Sequence, residues 1–239
     1  MKIHRFENID STNNEARRLL PHLDREQVNV IISKYQSAGK GQTGNSWSSN
    51  YDENILMSIV FFQDALPASE FFHTTRFVSV AMVDFLKSKG ITAHIKWPND
   101  ILVGQAKTAG ILIENNIEGL FISCSIVGIG LNVNQTLFPD FDIPAISMKL
   151  ATGNTFSTES LLHELIDCIL CVKRKTAEET NRLYHEHLYK FSEYAFFRYN
   201  NDIFEAKLCH VATDGRIVLR QRGKTQKSYA FKEVEWIIS

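Results

Sequence analysis

Two segments of this chain hold residues that could do chemistry together. The first, Tyr35-Gln36-Ser37-Ala38-Gly39-Lys40-Gly41-Gln42-Thr43-Gly44-Asn45-Ser46-Trp47, spaces three glycines around a lysine and ends in an indole. The second, Lys96-Trp97-Pro98-Asn99-Asp100, runs on to Lys107-Thr108-Ala109-Gly110-Ile111-Leu112. Glycine tolerates backbone angles that turn successive N–H groups toward an anion. A lysine returning from a nearby hairpin adds a compact positive charge to the same anion. The combination suits a phosphate-bearing ligand or intermediate. Each piece also has a plainer reading. A glycine-rich stretch can be only a turn, and Lys-Trp-Pro-Asn-Asp can be a strand end where proline closes the ladder. The spacing is not that of a P-loop, which needs Gly-Lys-Ser/Thr opening a helix. Nor is it a dinucleotide fingerprint, because Gly39-x-Gly41-x-x-Gly44 leads through Trp47 into strand-like residues rather than a helix.

The elements that must position these segments follow from periodicity. Residues 28–33 read as a buried strand delivering the glycine loop, and 55–62 as another. A long helix over 69–88 is apolar on more than one side and therefore buried. Residues 93–97 and 101–103 form strands, with a turn at Gly104-Gln105 into a returning strand at 109–114 and a further one at 120–129. A helix starts at Ser157 or Thr158 and ends near Lys173, Arg174 and Lys175. Another covers 178–190, with a break near Thr180 and with His185 and His187 facing solvent. Near the start, Thr12 and Glu15 have capping-box spacing before a helix that Pro21 stops. From Phe191 the pattern becomes short strands at 203–208, 217–219 and 232–238, with a hairpin signal at Asp214-Gly215. The expected fold is α+β, a mixed sheet with packed helices.

Composition narrows the function classes. The chain has 239 residues and a formal net charge of −1, with no basic block, so tight nucleic-acid binding is not expected. No signal-like or bilayer-spanning stretch is present in the sequence, and a cytoplasmic location with no membrane partner is expected. The four cysteines include Cys168 and Cys171 within a helical pattern, read as reduced core residues rather than a metal or redox site.

The blocks Ser11-Thr12-Asn13-Asn14-Glu15-Ala16, Gln36 to Trp47, Asn54-Ile55-Leu56-Met57-Ser58, Lys96 to Glu114 and Gly128-Ile129-Gly130-Leu131-Asn132-Val133-Asn134 occur in one order. In that order the chain resembles a biotin–protein ligase of the short type, which lacks a DNA-binding domain. The tail Val234-Glu235-Trp236 resembles the family's last strand. The resemblance implies a biotin/ATP-binding catalytic domain over 1–190 and an SH3-like C-terminal barrel over 191–239. It implies ATP-dependent formation of biotinyl-5′-AMP, then transfer to a lysine of an apo biotin carboxyl carrier protein. It implies ATP and Mg²⁺ as cofactors and leaves the metal ligands unassigned. Lys107, Lys40 and Asp100 become the candidate catalytic residues. Ser11, Thr12, Asn13, Gln36, Gly39, Lys40, Gly41, Gln42, Lys107, Gly110 and Gly128 become candidates for biotin. Lys40, Trp47, Asn99, Lys107 and Asn132 become candidates for ATP, with Trp47 stacked on adenine. A surface strand offers a route to a homodimer.

Three alternatives stand beside this. A lipoate or octanoate ligase would need a long apolar channel, which the Ser-Thr-Asn cluster and Trp47 disfavour. A biotin-dependent repressor would need a helix-turn-helix unit ahead of the catalytic domain, and only residues 1–10 precede Ser11 here. A non-catalytic biotin-binding regulator is opposed by Lys107.

One departure from the family is informative. Where many members carry Gly-Arg-Gly-Arg-Arg-Gly, this chain has Lys40, Gln42 and Thr43. Lys40 keeps the charge without the bidentate fork, and Gln42 loses the charge. Retention of the adenylate is therefore expected to depend on Lys40 and the loop backbone. Release of biotinyl-5′-AMP without acceptor, timed for the wild type and Gln42→Arg, checks this. An arginine that fails to slow the leak removes loop charge as the limit.

Overall fold

The computed structural model describes residues 1–42 and 44–237; Thr43 of the loop and Ile238 of the last expected strand lie outside the described residues. The chain opens with β1 (Lys2–Ile9), α1 (Thr12–Leu19), β2 (Asn29–Gln36) and β3 (Ile55–Pro67). It continues through α2 (Phe72–Ser88), β4 (His94–Lys96), β5 (Asp100–Val103), β6 (Ala106–Glu118) and β7 (Phe121–Leu131). Three helices follow, α3 (Met148–Thr152), α4 (Thr158–Lys173) and α5 (Ala177–Glu186). The chain ends in β8 (Tyr194–Tyr199), β9 (Asp202–Val211), β10 (Ile217–Arg220), β11 (Gln226–Tyr229) and β12 (Glu235–Ile237).

The first sheet has seven strands in the order β1-β2-β3-β7-β6-β5-β4. It is mixed: β1 lies parallel to β2 across the α1 crossover, and the other neighbours are antiparallel. Strand β1 escapes periodicity because it is an edge, with exposed Lys2, Arg5 and Glu7 and only half-buried Ile3 and Phe6. Alternation then divides the sheet. Val30, Met57, Ile59, Val127, Ile129 and Ile111 share the core with α2 and α4. Ile31, Val60 and Ile126 face the other way, beneath Ala16 of α1. Helix α2 is buried nearly all round, as its apolar sequence requires. The Ser157 hydroxyl accepts from Ser160 N–H and starts α4.

Several expectations are corrected. Helix α5 starts at the Thr176 cap and ends at Glu186, and Thr180 is buried within it rather than breaking it. His185 does not face solvent; its ring lies against β9. His187 is also largely covered, 3.4 Å from Asp84. The cysteines are free, as expected, but Cys171 is exposed and not in the core.

The second sheet has five strands in the order β11-β10-β9-β8-β12. Among the described residues no ladder joins β11 to β12, so the closed barrel expected here is not found. The sheet docks on the first through polar contacts that reach its backbone. Trp97 Nε1 donates to Gly215 O at 2.9 Å and the buried Arg76 guanidinium donates to Ala212 O, while Tyr184 Oη, on α5, braces the turn beside Trp97 by donating to Pro98 O at 3.0 Å. His185 completes the contact: Val211 N–H donates to its Nε2 at 2.9 Å, and Nδ1 lies 2.7 Å from Asn181 O. A carbonyl can only accept, so Nδ1 carries the proton and Nε2 must stay bare.

Burial, with Arg76 and His210 nearby, holds the His185 pKa below its ordinary value. A folded-state pKa below the unfolded one contributes stability that is present above about pH 6.5 and lost as pH falls. Urea midpoints at pH 7.5 and 5.5 should therefore fall toward acid in the wild type. In His185→Leu, already weaker at neutral pH, that part of the slope should disappear.

Candidate functional site

The site lies on the sheet face that α1 only partly covers. Pairing register sets two rows across it. One runs Lys96, Asp100, Gly110, Gly130, Leu56 from β4 to β3. The other runs Leu112, Gly128, Ser58. Glycine at 110, 128 and 130 leaves a strip of sheet without side chains, and a cavity of about 490 Å³ opens above it.

One end of the cavity is polar. Ser11 is the N-cap residue of α1, but its hydroxyl makes no cap bond, and the anticipated Thr12–Glu15 capping box is not formed. The reason is tertiary. Thr12 N–H donates to Gln36 Oε1 at 2.7 Å, and Thr12 Oγ1 lies 2.8 Å from Ser58 Oγ. Asn13 sits above Gly128, where an added Cβ would stand 3.0 Å from its Cγ. Its carboxamide is held on both sides, with Oδ1 2.6 Å from Ser58 Oγ and Nδ2 2.8 Å from Glu114 Oε2. Ser58 and Glu114 organise this cluster. Both lie in segments singled out from sequence, but neither announces a role there, since each reads as an ordinary strand residue.

The glycine loop folds as a small hairpin over the cavity. Trp47 N–H donates to Gly39 O at 2.9 Å, Gly41 N–H to Asn45 O at 2.7 Å and Asn45 N–H to Gln42 O at 3.1 Å. Gly44 takes φ +88° at the turn, a conformation that favours glycine. Much of the loop's donor capacity thus closes the hairpin. Lys40 Nζ reaches across to Asn14 Oδ1 at 2.6 Å, tying the loop to α1. The Trp47 indole lies on the glycine strip: a Cβ at Gly130 would be 2.6 Å from its Cζ2, and one at Gly110 3.0 Å from its Cζ3.

The other end is charged. Lys107 Nζ pairs with Asp100 Oδ1 at 2.6 Å and lies 5.7 Å from the centre of the Trp47 ring. Its placement depends on an irregularity between β5 and β6, where Ile101 pairs Ala109 but Leu102 pairs Lys107. The extra residue turns Lys107 onto the face of Asp100 and Gly110, which unbroken alternation would deny it. The 144–146 segment clamps that bulge through Lys107 N–H to Pro144 O at 2.7 Å and Ile146 N–H to Lys107 O at 3.0 Å. Lys96 lines the cavity beside them. Burial pushes its ammonium below the usual lysine range, and Lys107 acts in the same direction.

The candidate residues Ser11, Thr12, Asn13, Gln36, Lys40, Gly41, Gln42, Trp47, Asn99, Asp100, Lys107, Gly110, Gly128 and Asn132 all line this one cavity. Gly39 does not; it is buried, with the Trp47 carbonyl where its Cβ would be. Asn99 and Asn132 give their amide donors to backbone, Asn99 to Ile111 O and Asn132 to Ile146 O at 3.3 Å. Phe231, from the connection between β11 and β12, also reaches the cavity, which no local signal in the sequence indicated. Among the described residues no three His, Cys, Asp or Glu side chains gather as a metal site.

The profile of the biotin/lipoate A/B protein ligase family matches residues 5–132. The bifunctional ligase/repressor BirA of Bacillus subtilis is 34% identical over 165 residues, covering 67% of this chain and 50% of that protein. A biotin–[acetyl-CoA-carboxylase] ligase of Paracoccus denitrificans is 28% identical over 162 residues, covering 64% of this chain and 65% of its own. The chain spans about half the length of the BirA proteins it matches. The solved biotin protein ligase of Aquifex aeolicus, in complex with biotin and ATP, superposes with a TM-score of 0.79 at 20% identity, covering 100% of this chain and 99% of that one. That likeness establishes the fold.

If the glycine strip exists to seat the indole, Gly130→Ala must displace Trp47. Overpacking of this kind costs about 1–3 kcal/mol. The variant should show a lower urea midpoint and red-shifted tryptophan emission; unchanged emission would place the indole elsewhere.

Proposed function

Because the chain belongs to the biotin/lipoate A/B protein ligase family, we propose that it activates biotin with ATP and transfers it to a carrier-protein lysine. The observation that carries this reading is the cavity's polarity, with hydroxyl and amide groups at one end, an ammonium–carboxylate pair at the other and an indole between them. Ser11, Thr12, Asn13, Gln36 and Ser58 supply donors and acceptors suited to a ureido head. The biotin carboxylate then points along the glycine strip toward Lys107.

In the first step a carboxylate oxygen bonds to the α-phosphorus of ATP, and the bond to the departing pyrophosphate breaks. Two anions must approach, and Lys107 stands where their charges meet. Asp100 keeps that ammonium aimed until the anions arrive. Lys40 brings a further charge from the loop, and Trp47 offers its face to adenine, with the Asn99 and Asn132 side chains nearby. Closure of the loop protects the acyl-adenylate from water. In the second step a lysine amine of an apo biotin carboxyl carrier domain attacks the acyl carbon, and AMP leaves. Residues 1–190 act as the catalytic unit, and the sheet within 191–239 serves as its SH3-like appendage. Lipoate lacks the ureido group that the polar end fits, so biotin is the preferred acid.

Incubation with ATP, Mg²⁺, biotin and an apo carrier domain should add one biotinyl group by mass. Lys107→Ala should slow pyrophosphate release by roughly 10²–10³-fold, the cost typical of a lost transition-state charge partner. Equal turnover would remove Lys107 from the reaction. Calorimetry with biotin against lipoate separates the two acids.

A further inference from the structure

Lys96 is a charged group of the cavity that the reaction above does not use. It is the cross-strand partner of Asp100, two positions along the row from Gly110 of the glycine strip, and it lines the cavity. Asp100, however, pairs with Lys107 at 2.6 Å. Among the described residues the Lys96 ammonium makes no hydrogen bond or salt bridge. An ammonium taken out of water without a partner is costly, and losing its proton relieves the cost. The charged groups around it are Asp100 on β5, Lys107 on β6 and Glu235 on β12, with Lys232 on the same cavity wall. Glu235 is engaged by Arg198 at 2.6 Å. Burial outweighs the two carboxylates, and the Lys107 charge adds to it, so the Lys96 pKa lies below that of an ordinary lysine. The two cavity lysines therefore have opposite dispositions. Lys107 has a carboxylate partner at 2.6 Å, whereas Lys96 makes no such pair and is poised to give its proton up.

The transfer step needs such a group, and this inference rests on the ligase reading above. An acceptor lysine enters as an ammonium and ends as an amide nitrogen with one hydrogen, so two protons must leave it. We propose that Lys96, as the free amine, is the proton acceptor of the transfer step. The entering ammonium loses its first proton to solvent. As its nitrogen bonds to the acyl carbon, the carbon–oxygen bond to the phosphate breaks and AMP leaves with that electron pair. The nitrogen's second proton passes to Lys96 Nζ, which later returns it to water.

The two half-reactions test this separately, using pyrophosphate release with biotin and ATP, and transfer from purified biotinyl-5′-AMP to an apo biotin carboxyl carrier domain. An arginine keeps positive charge but cannot accept a proton at these pH values. Lys96→Arg and Lys96→Met should both lose roughly 10²-fold in transfer, the range of a lost general base, and at least tenfold less in adenylate formation. The wild-type transfer rate should rise with pH and bend below the ordinary lysine range. In the variants only the acceptor amine's own bend should remain. Biotin calorimetry on both variants confirms that the cavity is intact. Wild-type transfer by Lys96→Arg with an unchanged pH profile overturns the proposal, as does equal loss of both half-reactions in the two variants. A wild-type protein that forms no adenylate overturns the ligase reading instead.

Discussion

The site depends on a stretch of sheet with nothing on it. Side chains at positions 110, 128 and 130 would fill the space above β6 and β7, and glycine there leaves backbone as the floor. What rests on that floor is flat: the Asn13 carboxamide over Gly128 and the Trp47 indole over Gly110 and Gly130. The rest of the cavity is arranged around these planar groups. Helix α1 brings its first turn down to the sheet, Ser58 rises between Thr12 and Asn13, and the glycine loop closes into a hairpin that delivers Trp47. The opposite face of the same strands carries the main hydrophobic core, which gives the floor its rigidity.

Charge is concentrated at the β4–β5–β6 end of that strip. The Lys107 ammonium, its Asp100 partner and the Lys96 amine stand on three successive strands where a carboxylate and a phosphate are proposed to meet. In a partly desolvated cavity such charges act more strongly than they would in water. The bulge opposite the Ile101–Leu102 step is the decisive geometric device, since it brings Lys107 onto the face of Asp100. The chain at 144–146 pins the bulge through backbone hydrogen bonds, and the segment after β7 also lines the cavity with Phe138, Phe141 and Ile143.

The Lys96-Trp97-Pro98-Asn99-Asp100 turn also joins the two sheets. Lys96 and Asp100 look into the cavity, while Trp97 reaches the β9–β10 turn through Gly215 O and Pro98 O receives Tyr184. Docking of the second sheet therefore bears on the turn that holds the charged end of the site. Phe231 extends that contact, packing edge-on to Trp97 with ring centres 6.0 Å apart while lining the cavity.

Much of this was legible in the order of residues. Periodicity located the buried strands, the long α2 and α4 helices and the Asp214-Gly215 turn, because apolar spacing reflects which face is buried. The glycine loop and the run from Lys96 to Gly110 stood out because glycines beside lysines can hold an anion, and the residues singled out there gather at one cavity. Edge strand β1 and the contacts of His185 were not legible, since a half-exposed strand hardly alternates and a ring's partner can lie on a distant element. The capping box failed for the same reason: Thr12 had a better partner in Ser58, far away in sequence. The sequence by itself determined which residues are small, flat, polar or charged, and hence what chemistry they can do. Only the tertiary structure decided which of them face one another, because that depends on strand register, and a single extra residue in β6 reverses the direction in which Lys107 points.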